Sequence, residues 1–309
     1  MKNFIIKIIT FTVPFLIFIL LVIFIDPYNF ISTEKNQKII YHKKKISKHL
    51  NEPLYKLINF SHNATDIIFL GDSRTGNIKE STFKKLTGGK ATNLAYGGGT
   101  LPEIIESFWY VSKYHNLKEV YISINFDIYD KRENMNRVKK AIEIKESALS
   151  YFFNRYTFKS TFLILKSLII SKNNIKKTKL NKVNFWKQEL EKRNNFYLNK
   201  SYPLKYFNQL SEISNYCKIN KIKLVFFSPP THISLQEKIK QFNLMSEDIN
   251  FKKDLSRLGV YYDFDYPNDI TENHNYYKDP FHATDSILEI TINEIMSEKV
   301  KYAKNYKIN

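Results

Sequence analysis

The chain opens on an apolar run, IITFTVPFLIFILLVIFI at residues 8–25, which carries no charge and is preceded by Lys2 and Lys7. As a helix rising 1.5 Å per residue it would extend about 27 Å, just enough to cross a hydrocarbon core. Pro14 is tolerated in such a helix. The residues that follow, Asp26-Pro27-Tyr28-Asn29-Phe30, hold no small-x-small cleavage site. The pattern therefore predicts an uncleaved transmembrane signal anchor over 1–31 rather than a removed leader. Residues 32–60, lysine-rich and polar at 34–50, read as a basic juxtamembrane stalk. From Asp66 short apolar runs alternate with amphipathic ones, predicting strands over 66–70, 91–95, 119–125, 223–228 and 260–264. Helices are predicted over 80–86, 102–114, 203–220, 234–258 and 284–302. Strands alternating with helices imply βαβ units, so the expected class is α/β, a three-layer α/β/α sandwich with a mainly parallel five-stranded sheet. That domain spans 61–309, interrupted at 131–200 by a largely helical insertion. No internal repeat is present.

Composition sharpens this outline where it is uneven. The formal net charge is +18, from 48 Lys+Arg against 30 Asp+Glu. Residues 131–200 carry +13 of it and residues 32–50 carry +5, which leaves the other segments near neutral. Hydrophobic residues make up 43% of the chain, enough for a packed core, so wholesale disorder is excluded. The lone cysteine, Cys217, excludes an intramolecular disulfide framework and a cysteine-rich zinc site. Within the insertion, Phe152, Phe153, Tyr156 and Phe158 precede TFLILKSLII at 161–170, then Lys172, Lys176, Lys177, Lys179 and Lys182. The apolar stretch is too short for a second span and is broken by Lys166. It reads as an amphipathic helix with a basic tail, suited to a lid, to a membrane-interface surface, or to packing on the domain's own helices. Flanking charges do not settle orientation. Lys2 and Lys7 favour a cytoplasmic N-terminus, while Lys35, Lys38 and Lys43–Lys45 oppose it.

Glycine is scarce and concentrated. Average usage would give roughly 20 in a chain of this length. Only 8 are present, and Gly71, Gly76, Gly88, Gly89, Gly97, Gly98 and Gly99 lie within 29 residues of one another. Two groups follow predicted strand ends, Gly71-Asp72-Ser73-Arg74 and Asn93 through Thr100. In an open parallel sheet that is the edge where ligands bind. Neither group is a phosphate loop, because no Gly-Lys-Ser/Thr and no GxGxxG occurs. No cofactor or metal motif is found elsewhere. Ser73, just past a strand and just before a helix, would expose its hydroxyl beside helix N-terminal N–H groups. Capping by Asp72 or Ser73 explains the same residues. Near the other end, Asp279-Pro280-Phe281-His282 precedes the last helix. Pro280 fixes a turn in which Asp279 and His282 can face one another. A carboxylate on one imidazole nitrogen fixes the tautomer and leaves the other nitrogen to accept a serine proton.

Together these residues resemble the SGNH (GDSL-type) hydrolase superfamily, in its membrane-anchored bacterial branch, over roughly residues 65–300 apart from the insertion. The resemblance implies Ser73 as nucleophile, His282 as base and then acid, and Asp279 as its orienting carboxylate. It implies an oxyanion hole from Gly98, with Gly97 a register alternative, and from Asn125 in Ser123-Ile124-Asn125-Phe126. The family's usual Gly-x-Asn-Asp is reduced there to its asparagine. Asp72 is expected to support the turn and Arg74 to sit in a surface salt bridge. The implied chemistry is acyl transfer through an ester on Ser73. The expected activity is that of an O-acyltransferase or O-acetyl esterase on a cell-surface glycan, the partner being that glycan or a lipid-linked acyl donor or acceptor. The membrane is a second expected partner, with a multi-spanning acyltransferase beside it and no nucleic acid. Placement would be in the cytoplasmic membrane, single-pass, with the catalytic domain on the periplasmic or extracellular side. The alternatives are a lipid or thioester hydrolase and a non-catalytic accessory subunit.

Overall fold

The computed structural model describes residues 2–170 and 182–306. Lys172, Lys176, Lys177 and Lys179 of the basic tail lie outside the described residues. The chain divides into two compact units, Met1–Ala64 with Arg137–Lys176, and Thr65–Asn136 with Lys177–Asn309.

In the first unit a helix runs over Lys2–Ile25 with Pro14 inside it. Its Ile6–Ile25 stretch, 20 residues, is long and apolar enough to cross a membrane. The chain leaves it at Asp26, which takes a positive φ of 40°. The Asp26 carboxylate accepts the N–H groups of Phe30, Ile31 and Ser32 and the Tyr151 hydroxyl. One buried acceptor thus folds the exit segment back and ties it to the insertion. Most of the expected stalk, from residue 37 on, is built into two packed helices, Gln37–Leu50 and Glu52–His62, each capped by an asparagine side chain. Lys43 there is only 2% exposed and donates to Asn29 Oδ1 at 2.8 Å. The first part of the insertion supplies the helices Arg137–Glu146, Ala148–Phe152 and Arg155–Ile169 to this unit.

The second unit is built on six strands, β1 (Ile67–Leu70), β2 (Ala91–Asn93), β3 (Glu119–Ser123), β4 (Lys223–Ser228), β5 (Val260–Asp263) and β6 (Lys304–Tyr306). Their order is β2-β1-β3-β4-β5-β6. The first five are parallel, and β6 pairs antiparallel with β5. The sixth strand extends the expected sheet because the last helix, Asp285–Ser297, stops early. Glu298 enters the left-handed region at φ 57° and turns the chain back along β5. The expected 234–258 helix is likewise divided into Ile233–Gln241 and Met245–Leu258, with Asn243 at φ 56° between them.

Successive side chains on a strand face opposite ways, and those two apart share a face. Phe69, Tyr121, Phe227 and Tyr262 enter one core cluster with Phe83 of the Glu80–Leu86 helix and Ile287, Leu288 and Ile292 of the last helix. The intervening Ile68, Val120, Phe226 and Tyr261 are fully buried on the other face. The helices Leu101–Tyr114, Leu204–Ile219 and Met245–Leu258 pack there against β1, β4 and β5. The chain crosses from β1 to β2 on one side and returns to β3 on the other. That switch point opens a crevice beyond the carboxyl ends of the strands, where Ser73 stands.

Candidate active site

The crevice is shaped first by glycine. Gly71, one residue past β1, has φ 155°, and a Cβ there would lie 2.6 Å from Ser123 Cβ. A Cβ on Gly99 would meet Gly71 O at 2.6 Å and Asp72 Cα at 3.0 Å. Only hydrogen atoms let the turns after β1 and β2 approach this closely. Tyr96 N–H then donates to Gly71 O at 3.0 Å and locks them together. Asp72 caps the four-residue helix Ser73–Gly76 by accepting the Arg74 N–H.

The turn at the far end is closed just as tightly. Tyr277 and Ala283 form an antiparallel bridge, Lys278 N–H donates to His282 O, and Pro280 O accepts from His232 N–H. Asp279 accepts the N–H groups of Phe281 and His282 as well as His282 Nδ1, at 2.8–3.0 Å. Burial pushes the Asp279 carboxyl up, but the bonds from His282 and the two backbone N–H groups outweigh it and hold it below the usual range. His282 Nε2 lies 2.8 Å from Ser73 Oγ. With Nδ1–H directed at the carboxylate, Nε2 is left as the acceptor of the serine proton. The structure therefore brings together Ser73, His282 and Asp279, three residues that span 210 positions of the chain, in a hydroxyl–imidazole–carboxylate relay.

The oxyanion candidates divide. Gly98 lies in the left-handed region at φ 59°, in a turn closed by Gly99 N–H donating to Tyr96 O. It is next to the glycine that abuts Asp72. Asn125 is placed differently from the expectation. It is 1% exposed, and its amide donates to Pro229 O at 2.8 Å and to Asp265 Oδ2 at 3.1 Å. Both amide hydrogens are spent inside the protein, because the Asp265 carboxylate just past β5 reaches across to it.

Arg74 also departs from expectation, being 5% exposed rather than at the surface. Its Nη2 donates to Asp127 Oδ2 at 2.5 Å, and Nη1 lies 3.3 Å from Asp72 Oδ2. Burial pulls the guanidinium down, but Asp127 and Asp72 push its affinity for the proton above the ordinary value. Burial likewise pushes Asp127 up, yet Arg74, Arg193 and Lys200 together hold it at about 2. Asp72 itself is pushed up by burial, against the pull of Arg74. Sequence reasoning passed over Asp127 and Arg193, although Asp127 stands only two residues after Asn125. Among the described residues no three His, Cys, Asp or Glu side chains are grouped to hold a metal ion.

No family model matches the chain, and no curated protein matches it significantly. Solved structures similar to it include a candidate acylhydrolase from Bacteroides fragilis, at 13% identity over 75% of this chain and 85% of that one, with a TM-score of 0.38. A GDSL-like lipase from Bacteroides thetaiotaomicron is 13% identical over 76% of this chain and 88% of its own, with a TM-score of 0.39. A candidate platelet activating factor from Streptococcus pneumonia is 9% identical over 85% and 99% respectively, with a TM-score of 0.43.

Proposed function

We propose that the chain is a membrane-anchored serine acyl-transfer enzyme of the SGNH (GDSL-type) kind, an O-acyltransferase or O-acetyl esterase that works on a cell-surface glycan. The observation that carries this reading is the relay in which Ser73 Oγ, His282 and Asp279 stand in hydrogen-bond sequence. Ser73 Oγ attacks the ester carbonyl carbon while its proton passes to His282 Nε2. The tetrahedral adduct collapses, the leaving alkoxide takes that proton, and an acyl ester remains on Ser73. Water or a sugar hydroxyl then gives a proton to His282 and attacks the acyl carbon. This adduct collapses with cleavage of the bond to Ser73 Oγ, which takes that proton back from His282. Asp279 keeps the imidazole in one tautomer and stabilises its charged form. With the Asn125 amide engaged elsewhere, the oxyanion falls to backbone donors of the Ser73 and Gly98 turns, each worth about 3–4 kcal/mol in the transition state.

The apolar N-terminal helix fits a single-pass anchor in the cytoplasmic membrane, with the catalytic unit on the periplasmic or extracellular side, where a glycan is found. A lipid-linked donor or a multi-spanning acyltransferase in the same membrane would supply the acyl group. The test is mass analysis of surface glycans from cells that lack the protein and from cells that carry Ser73→Ala. Loss of one O-acyl group in both supports transfer to the glycan, a gain of one in both supports its removal, and unchanged acylation sinks the proposal. Hydrolysis of short p-nitrophenyl esters that survives Ser73→Ala would remove the serine from the reaction. A reporter fused after the C-terminus that reads cytoplasmic would remove the glycan.

A further inference from the structure

The guanidinium beside the nucleophile is under-used. Arg74 carries five N–H donors and is more than nine-tenths buried, yet Nε has no hydrogen-bond partner and Nη1 meets only the Asp72 carboxylate, at 3.3 Å and without hydrogen-bond geometry. A second guanidinium meets it from the Lys182–Leu198 helix. Arg193 Nη1 lies 3.6 Å from the same Asp127 oxygen, and Arg193 Nε is also buried without a partner. Both guanidiniums face one ring, with Phe281 at 4.5 Å from Arg193 and 5.8 Å from Arg74. Phe281 directly precedes His282, so the paired cations stand beside the reacting serine. Lys200, which donates to Phe126 O and Tyr129 O, adds a third positive charge toward Asp127. The carboxylates in reach are Asp127, Asp72 and, farther off, Asp265 and Glu133. Of these, Asp265 is bonded to Thr231 and Asn125, and burial pushes Asp72 and Glu133 toward the neutral form. Two guanidiniums drawn to one carboxylate repel each other unless further negative charge joins them, and each buried donor left unmet keeps its desolvation penalty. Donors arranged in this way match a planar or tetrahedral oxyanion, the geometry that a guanidinium fork meets with two bonds.

We infer that Arg74 and Arg193 form a subsite for an oxyanion group carried by the substrate, a carboxylate or a phosphate, seated against Phe281 next to Ser73. Arg74 is the floor of this subsite, and Arg193, its side chain 28% exposed, is the lip through which the anion enters. The inference rests on the acyl-transfer reading of Ser73 and narrows its substrate to an anionic one.

The experiment uses the full chain in detergent and hydrolysis of neutral p-nitrophenyl acetate, with inorganic phosphate and succinate as competitors. At least one of these anions should compete with the ester. In Arg193→Gln its inhibition constant should rise about tenfold or more, the equivalent of one charge-assisted bond. Arg193→Lys, a point charge without the fork, should fall between. Competition by succinate alone assigns a carboxylate, and by phosphate alone a phosphate. No competition by either anion, or equal constants in the wild type and both variants, overturns the subsite. If the wild type does not hydrolyse the ester, calorimetric titration of the same two anions decides. Arg193-dependent binding keeps the subsite while the reaction assignment falls, and no binding removes both.

Discussion

Replacing Asp127 with asparagine removes the charge that joins the turn of Ser73 and Arg74 to the insertion. Asp127 and Arg74 are 6% and 5% exposed, and the Nη2–Oδ2 contact is 2.5 Å. Deleting one member of a buried pair strands the other, which costs about 3–5 kcal/mol. Asp72, 3.3 Å from Nη1, compensates only in part, since burial favours its neutral form. Arg193 loses its 3.6 Å partner too but reaches water. A cost of about 3–4 kcal/mol corresponds to a fall in Tm of roughly 6–16 °C for a unit of this size. The measurement is thermal unfolding of the full chain in detergent, followed by circular dichroism. Removing both charges, as Arg74→Met with Asp127→Leu, should recover more than half of the loss, because an apolar pair of similar volume is close to neutral. The pH dependence has a fixed sign. Asp127 is held at about 2 against an ordinary 3.8, so its contribution is complete above 3.8 and is lost as pH falls through about 2. The gap between the wild type and Asp127→Asn should therefore narrow over that acid window. A loss below about 1 kcal/mol, or a double variant no more stable than the single, would refute the buried-pair argument.

Three further outcomes are expected. Asp279→Asn should keep the fold but lower kcat for ester hydrolysis by about 10³–10⁴, since the amide no longer selects the productive tautomer; a drop below tenfold in steady-state assays would remove Asp279 from the relay. Gly71→Ala brings a methyl to 2.6 Å from Ser123 Cβ and should cost about 1–3 kcal/mol in chemical denaturation. Gly88→Ala, with nothing within 4 Å, should cost only the strain of φ 58°, and equal losses at the two sites would mean that close approach is not the reason for Gly71. Asn125→Ala should lower Tm, because Pro229 O and the Asp265 carboxylate lose a buried donor, while kcat changes by less than tenfold; a loss of about 10²–10³ in kcat with Tm unchanged would restore the asparagine to the oxyanion hole.

Period-2 burial and turn chemistry are local, and what depends on them was readable from the chain. The five parallel strands sit within about two residues of the positions expected from alternation, because each is bounded by a glycine, asparagine or helix start that sequence displays. The relay was readable for a different reason. Serine after a strand and Asp279-Pro280-Phe281-His282 before a helix are each short-range signatures, and a parallel sheet brings such ends to one edge whatever lies between them. β6 was hidden because Lys304–Tyr306 is only three residues long, too short to show a period, and the polar and apolar residues before it fall within the expected last helix, 284–302. A single left-handed residue, Glu298, returns it to an edge that β5 leaves open.

The error at Arg74 has a different origin. An Asp-Ser-Arg sequence carries no sign of whether the arginine faces water, since its burial depends on Asp127 from the end of β3 and Arg193 from the insertion. Those two residues are 66 positions apart in the chain and meet only in the folded unit. Charge counted along the sequence placed the whole +13 excess of 131–200 in one basic segment. Folding splits that segment between the two units and brings Arg193 and Lys200 to the carboxyl edge of the sheet. Part of the excess therefore lies beside Asp127 at the carboxyl edge of the sheet. A membrane-binding role for the insertion must rest on its remaining lysines, and charge-reversal there should leave the anion competition at Ser73 unchanged.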